Sequence, residues 1–178
     1  MAYIALWLLV SMGSLLSWNA YGQWREVVPQ AEPLGAGEMR YFGLSLYKAT
    51  LWSSAQAREV ATLSQPFALQ LNYTRSISRQ ALVEASLKEI RRLVAPAPTA
   101  EQLARWQNEM LQAFVDVDKG DQITGVYVPE QGARFYVGDT LQHEINDPEF
   151  ARAFFSIWLS PHSQSPSLRA QLLGWKEP

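Results

Sequence analysis

The stretch NDPEFARAFFSIWLSP, residues 146–161, limits the possible folds more than any other part of the chain. Asp147 offers an N-terminal cap, and Pro148 suits the first helical position, whose amide needs no intrahelical partner. Phe150, Ala153, Phe154 and Ile157 then share one face of a helix, and Phe155, Trp158 and Leu159 widen it. So wide an apolar stripe predicts a helix covered on two sides, while Arg152 in its middle argues against a membrane span. Ser160-Pro161 ends it. Such a helix needs other layers to pack between, and the remaining sequence supplies them.

The segment PFALQLNY, residues 66–73, alternates cleanly, with Phe67, Leu69, Leu71 and Tyr73 on one side and Ala68, Gln70 and Asn72 on the other. That period of two predicts a half-buried antiparallel strand. Earlier, GEMRYFGLSLYKATLW, residues 37–52, reads as one extended segment with both faces covered. Leu44, Leu46 and Trp52 share one parity, and Tyr41, Tyr47, Ala49 and Leu51 the other. Later, residues 122–145 read as a three-stranded meander with turns at Pro129 to Gly132 and at Gly138-Asp139.

Between these strand regions lie two helical patterns. Ser78 caps the first, which repeats Val83, Leu87, Ile90 and Val94 at helical spacing before the APAP break. Thr99 and Gln102 form a capping-box pattern for the second, with Leu103, Trp106, Met110 and Phe114 on one stripe. A last helix follows Ser165-Pro166, turns Leu168, Leu172 and Leu173 inward, and ends at Gly174.

The first 22 residues stand apart. They carry no charged side chain, and their apolar run from Tyr3 to Leu16 is short for a membrane span. Ala20-Tyr21-Gly22 places small residues where a signal peptidase reads, so residues 1–22 are expected to be a signal peptide and residues 23–178 the mature domain. The n-region lacks Lys and Arg, which leaves an uncleaved anchor as the alternative. Either way the domain is expected in the periplasm or outside the cell. The absence of cysteine excludes thiolate metal sites and cysteine nucleophiles.

Charge excludes further classes. Fifteen Lys and Arg nearly balance seventeen Asp and Glu, so no nucleic-acid partner is expected. No P-loop or dinucleotide fingerprint is present, and no cofactor is expected. The acidic turn DVDKGD, residues 116–121, resembles the opening of a calcium loop. Gly120 stands where a side-chain oxygen is needed and Tyr127 where the closing Glu belongs, so neither calcium nor another metal is expected. His143 and His162 sit in no catalytic motif.

Taken in order, residues 37–52, 66–73, 119–139 and 147–174 resemble the chalcone isomerase-like family, in particular its exported bacterial members. The resemblance implies an α+β fold, a large antiparallel sheet backed by a layer of helices in an open-faced β-sandwich, with an apolar cleft between the layers. Plant enzymes of the family close a flavanone ring with an Arg, two Thr, a Tyr and an Asn. Matching Tyr47 to the enzymes' Gly-Val-Tyr phrase puts Phe42 at the strand threonine, and anchoring on Ser165-Pro166 puts Ile157 at the late threonine. Leu82 and Glu89 fall near the tyrosine and asparagine, and Arg40 and Arg25 are the displaced candidates for the arginine. Most catalytic roles are thus replaced.

Non-catalytic relatives bind fatty acids through an Arg and a Tyr. The resemblance therefore implies an apolar small molecule or fatty acid as partner, with Arg40, Phe42, Tyr47 and Ile157 as candidate ligand-binding residues. The alternatives are a diverged isomerase acting on a phenolic or enone substrate, and an interaction module with a filled core in which Arg40 is a surface residue paired with a nearby Glu.

Overall fold

The computed structural model describes residues 22–175. Six strands form one antiparallel sheet in simple sequence order: β1 Glu32–Tyr41, β2 Leu44–Ser53, β3 Phe67–Tyr73, β4 Gln122–Val128, β5 Gly132–Val137 and β6 Thr140–Ile145. The helices are α1 Ala57–Ala61, α2 Arg79–Leu93, α3 Ala100–Ala113, α4 Pro148–Leu159 and α5 Pro166–Leu172. The architecture is α+β, with the helical layer against one sheet face. The expected signal peptide lies, but for Gly22, outside the described residues.

Capping chemistry sets the helix ends. Ser78 Oγ accepts from the Ala81 amide, Thr99 and Gln102 form a reciprocal capping box, and Asp147 accepts from the Phe150 amide. Asp147 also accepts from Trp106 Nε1 at 2.9 Å, which ties α3 to the start of α4. The short Ala57–Ala61 helix carries its own capping box, with Gln56 and Glu59 as partners.

The segment read as a single strand over 37–52 is instead a hairpin. Phe42 and Gly43, with φ of +47° and +78°, make a two-residue turn between β1 and β2. Positive φ at both central positions matches the twist of paired strands, but Phe there disguises a turn that Asn-Gly would have announced.

On the helix face, α4 lies deep in the core. Phe154 touches the rings of Phe114, Phe135, Phe150, Phe155 and Trp158, and Phe155 packs edge-on against Phe67 and Tyr127. Helix α5 crosses β1, where a Cβ on Gly35 would collide with the Gln171 carbonyl and one on Gly37 with the Leu168 side chain. The opposite sheet face carries a smaller cluster of Trp24, Val28, Ala31, Ala68, Val126 and Tyr136. A 3₁₀ turn over Gln23–Glu26 brings Trp24 to it. Both faces of the Trp52 end of β2 are therefore covered, as its pattern predicts.

Candidate apolar ligand site

Helix α2 does not fill the space beside it, because the residues it presents there include the short Ala81, Ala85 and Ser86. The result is a cavity of about 510 Å³ between the sheet, α2 and α4. Its sheet side is formed by Met39, Leu46, Tyr47, Leu69, Leu71, Tyr73, Ile123 and Phe135, and its α4 side by Phe154, Phe155, Ile157 and Trp158. Exposed Arg75, Ser76, Ala81 and Ala85 mark its mouth. A smaller hollow of about 290 Å³ adjoins it, sharing Met39, Leu46, Tyr47, Ile157 and Trp158 and reaching Tyr41 and Lys88. The volume is that of a small-molecule pocket, and the lining is mostly apolar with a few polar groups, the usual composition of such sites.

Those polar groups differ in what they have left to offer. Ser76 Oγ donates to Asp118, Ser86 Oγ to the Leu82 carbonyl, and the Glu89 carboxylate already accepts from Arg92 and Gln164. Tyr47 and Tyr73 lie directly opposite one another on β2 and β3, their rings edge to face at 6.0 Å. Trp158 Nε1 donates to the Tyr47 hydroxyl at 3.0 Å, which leaves that hydroxyl's own proton to donate. Burial pushes the Tyr47 pKa up to about 12, against a smaller lowering by the Trp158 bond. The Tyr73 pKa is raised by burial first and by neighbouring Tyr47 second. Both are neutral donors at physiological pH, not bases.

Among the described residues, nothing hydrogen-bonds the Tyr73 hydroxyl and nothing pairs with the Arg75 guanidinium. Arg75 is the one cation lining the larger cavity. The site thus offers an apolar chamber, two neutral hydroxyl donors and a cation at the mouth. That combination can hold an apolar body with an anionic head.

The structure brings together Tyr47, Ile157, Leu82 and Glu89, all of which line the cavity. Arg40 and Phe42 are not among the lining residues. The β1–β2 register shifts between Met39 and Arg40, Met39 lines the cavity, and Arg40 pairs with Glu38 at 2.7 Å with its side chain 62% exposed. The Glu38 pKa is lowered by a hydrogen bond from Ser45 and then by Arg40. Phe42 stands at the hairpin apex, 89% exposed. Arg25 lies on the far sheet face, stacked over Trp24 at 4.4 Å and Trp52 at 4.5 Å.

Sequence reasoning passed over Tyr73 and Arg75 as site residues, although a signal was available. Arg75 continues the parity of Phe67, Leu69, Leu71 and Tyr73, a charge set at the end of an apolar face. The acidic turn after α3 is used internally: Asp116 accepts from the Arg79 amide, Asp118 from Ser76, and Asp121 from the Asp118 amide. No group of three metal-binding side chains occurs among the described residues. None of the described helices is long and apolar enough to cross a membrane.

Among solved structures, the chain is similar to a fatty-acid binding protein of Arabidopsis thaliana, with a TM-score of 0.61 and 11% identity over 82% of this chain and 87% of that one. At that identity the likeness concerns the fold. Among curated proteins no sequence matches the chain. The family model described as chalcone isomerase-like matches residues 34–174, which span all six strands but for the first two residues of β1, together with the whole cavity lining. The chain belongs to the chalcone isomerase-like family.

Proposed function

We propose that the protein is a non-catalytic binder of a fatty acid or a similar apolar anion, held with its tail in the cavity and its head at Arg75 and Tyr73. One observation carries this reading: an apolar cavity of about 510 Å³ opens beside a cation and a buried hydroxyl that no described residue satisfies. Each buried methylene of a tail contributes about 0.8 kcal/mol, and the planar guanidinium can meet a carboxylate with two parallel hydrogen bonds. The Arabidopsis structure of the same fold is a fatty-acid binding protein, which supports the same ligand class.

A catalytic reading fits the lining less well. Ile157 has no hydrogen-bond donor for a developing enolate oxygen, Phe42 is outside the cavity, and loss of one such donor costs about 10²–10³ in rate. The proposal extends to export: the uncharged stretch before Gln23 would be removed, and N-terminal sequencing of purified protein should read Gln23 first.

Calorimetry with a long-chain fatty acid tests the site. Arg75→Ala should weaken binding about 10-fold or more, since a hydrogen bond to a charged group contributes about 1.5–3 kcal/mol, and Arg40→Ala should leave affinity unchanged. The fatty acid's methyl ester should bind wild type and Arg75→Ala alike. Equal affinity of wild type and Arg75→Ala for the free acid would remove Arg75 from the site, and chalcone turnover above background would overturn the non-catalytic reading.

A further inference from the structure

We propose that the β1–β2 hairpin tip is a membrane-docking element that seats Tyr41, Phe42 and Leu44 in the interface of a phospholipid bilayer, next to the mouth of the cavity.

The described residues leave five large hydrophobic side chains exposed, and three of them sit on this one turn: Tyr41 at 58%, Phe42 at 89% and Leu44 at 56%. Folding does not account for them. Phe42 adopts φ of +47°, where Asn or Gly would stabilise the turn and a bulky side chain is disfavoured. Among the described residues its one ring contact is with Tyr41, edge-on at 4.5 Å, so the two rings form a small, largely exposed apolar knob. A turn residue that is poor for the backbone and poor for solubility points to an external surface.

Size and shape select the partner. A stable protein interface takes about 800 Å² from each side, more than three side chains on a single convex turn present. A bilayer needs no complementary groove. Aromatic rings settle at the level of its headgroups, where an apolar body meets a polar edge. Arg40 and Glu38, beside the turn in sequence, neutralise each other as a pair, so insertion of the tip itself rests on apolar contact. It is also weak: a single myristoyl chain binds membranes with a constant of only about 10⁴ M⁻¹, and this tip should bind no more tightly.

The tip is also continuous with the cavity. Tyr41 lines the smaller hollow, whose walls Met39, Leu46 and Tyr47 are shared with the larger cavity. A tip resting in the headgroup layer would set this opening against the lipid, so a tail could pass between bilayer and cavity with little exposure to water. This consequence rests on the fatty-acid reading above, whereas docking itself does not.

The chain has no cysteine, so Phe42→Cys can carry a single environment-sensitive fluorophore. Gln131→Cys, in the exposed β4–β5 turn, serves as the control. Adding phosphatidylcholine vesicles at millimolar lipid should blue-shift the label at position 42 and expose it to quenching by spin-labelled lipid chains. The label at 131 should not respond, and raising salt should not reverse the effect. No shift at position 42, or equal shifts at both positions, overturns the proposal. In a second measurement, Phe42→Asn with Leu44→Ser should slow transfer of a fluorescent fatty acid from vesicles severalfold while its affinity in solution stays the same. Unchanged transfer would overturn the exchange role. A protein that binds no fatty acid in solution would defeat the cavity reading instead, and the label at position 42 would still decide docking.

Discussion

At the scale of single residues, the site depends on what burial does to two phenols. Tyr47 is held neutral by its apolar surroundings, its pKa pushed up from 10.0 to about 12, so its folded form clings to a proton that the unfolded chain releases earlier. Below pH 10 both forms keep the proton and the contribution to stability is complete. Between about pH 10 and 12 only the unfolded chain ionises, so stability should fall as pH rises, by on the order of 2–3 kcal/mol for Tyr47 alone. Denaturant titrations across that window measure it. Tyr47→Phe should flatten the alkaline slope while losing about 1–3 kcal/mol at neutral pH, because Trp158 Nε1 is left without its acceptor. A slope unchanged in Tyr47→Phe would place the effect on other tyrosines, Tyr73 first among them, whose pKa burial also raises.

At the scale of elements, α4 is the wall on which core and cavity both depend. Phe154 is 5% exposed, and it both fills the aromatic cluster and lines the cavity. Phe154→Ala should therefore cost about 3–5 kcal/mol, because truncation joins a new void to an existing one with little chance of collapse. Thermal and denaturant melts read this directly. A change within about 0.5 kcal/mol would mean that the side chain packs on little. The helix was legible in sequence because periodicity, cap and stop all agree over Asp147 to Pro161. The same is true of β3, the meander β4–β6, and the caps at Ser78 and Thr99. The β1–β2 hairpin was not legible, since its turn uses Phe42-Gly43 and the flanking apolar residues continue an alternating pattern across it. The turn carries Phe42 to the hairpin apex, and the register shift before Arg40 leaves Arg40 outside the cavity lining. Tyr47 and Ile157, on elements whose phase was read correctly, do line the cavity. Arg75 lies two residues beyond the end of β3, so its parity with the apolar face hints at the cavity mouth, but the strand pattern itself stops short of it.

At the scale of the whole molecule, the hollow between sheet and helices is a liability unless something occupies it. A cavity of about 510 Å³ forgoes contacts that a close-packed core would make, so filling it should stabilise the fold. Two agents can fill it, and they should compete. A bound ligand at 100 times its Kd contributes about 2.7 kcal/mol, which for a chain of this size corresponds to several degrees in Tm. Ser86→Leu would occupy part of the same space from α2, where the serine hydroxyl only returns to the Leu82 carbonyl of its own helix. With about 0.8 kcal/mol per buried methylene, the substitution should raise the unliganded Tm by a few degrees and shrink the further rise on adding fatty acid. Differential scanning calorimetry of both proteins, with and without ligand, separates the cases. If Ser86→Leu leaves the ligand-induced rise at its wild-type value, the fatty acid binds elsewhere on the molecule. If the unliganded variant melts lower than wild type, the space beneath α2 is too small for a leucine, and too small for an alkyl tail as well.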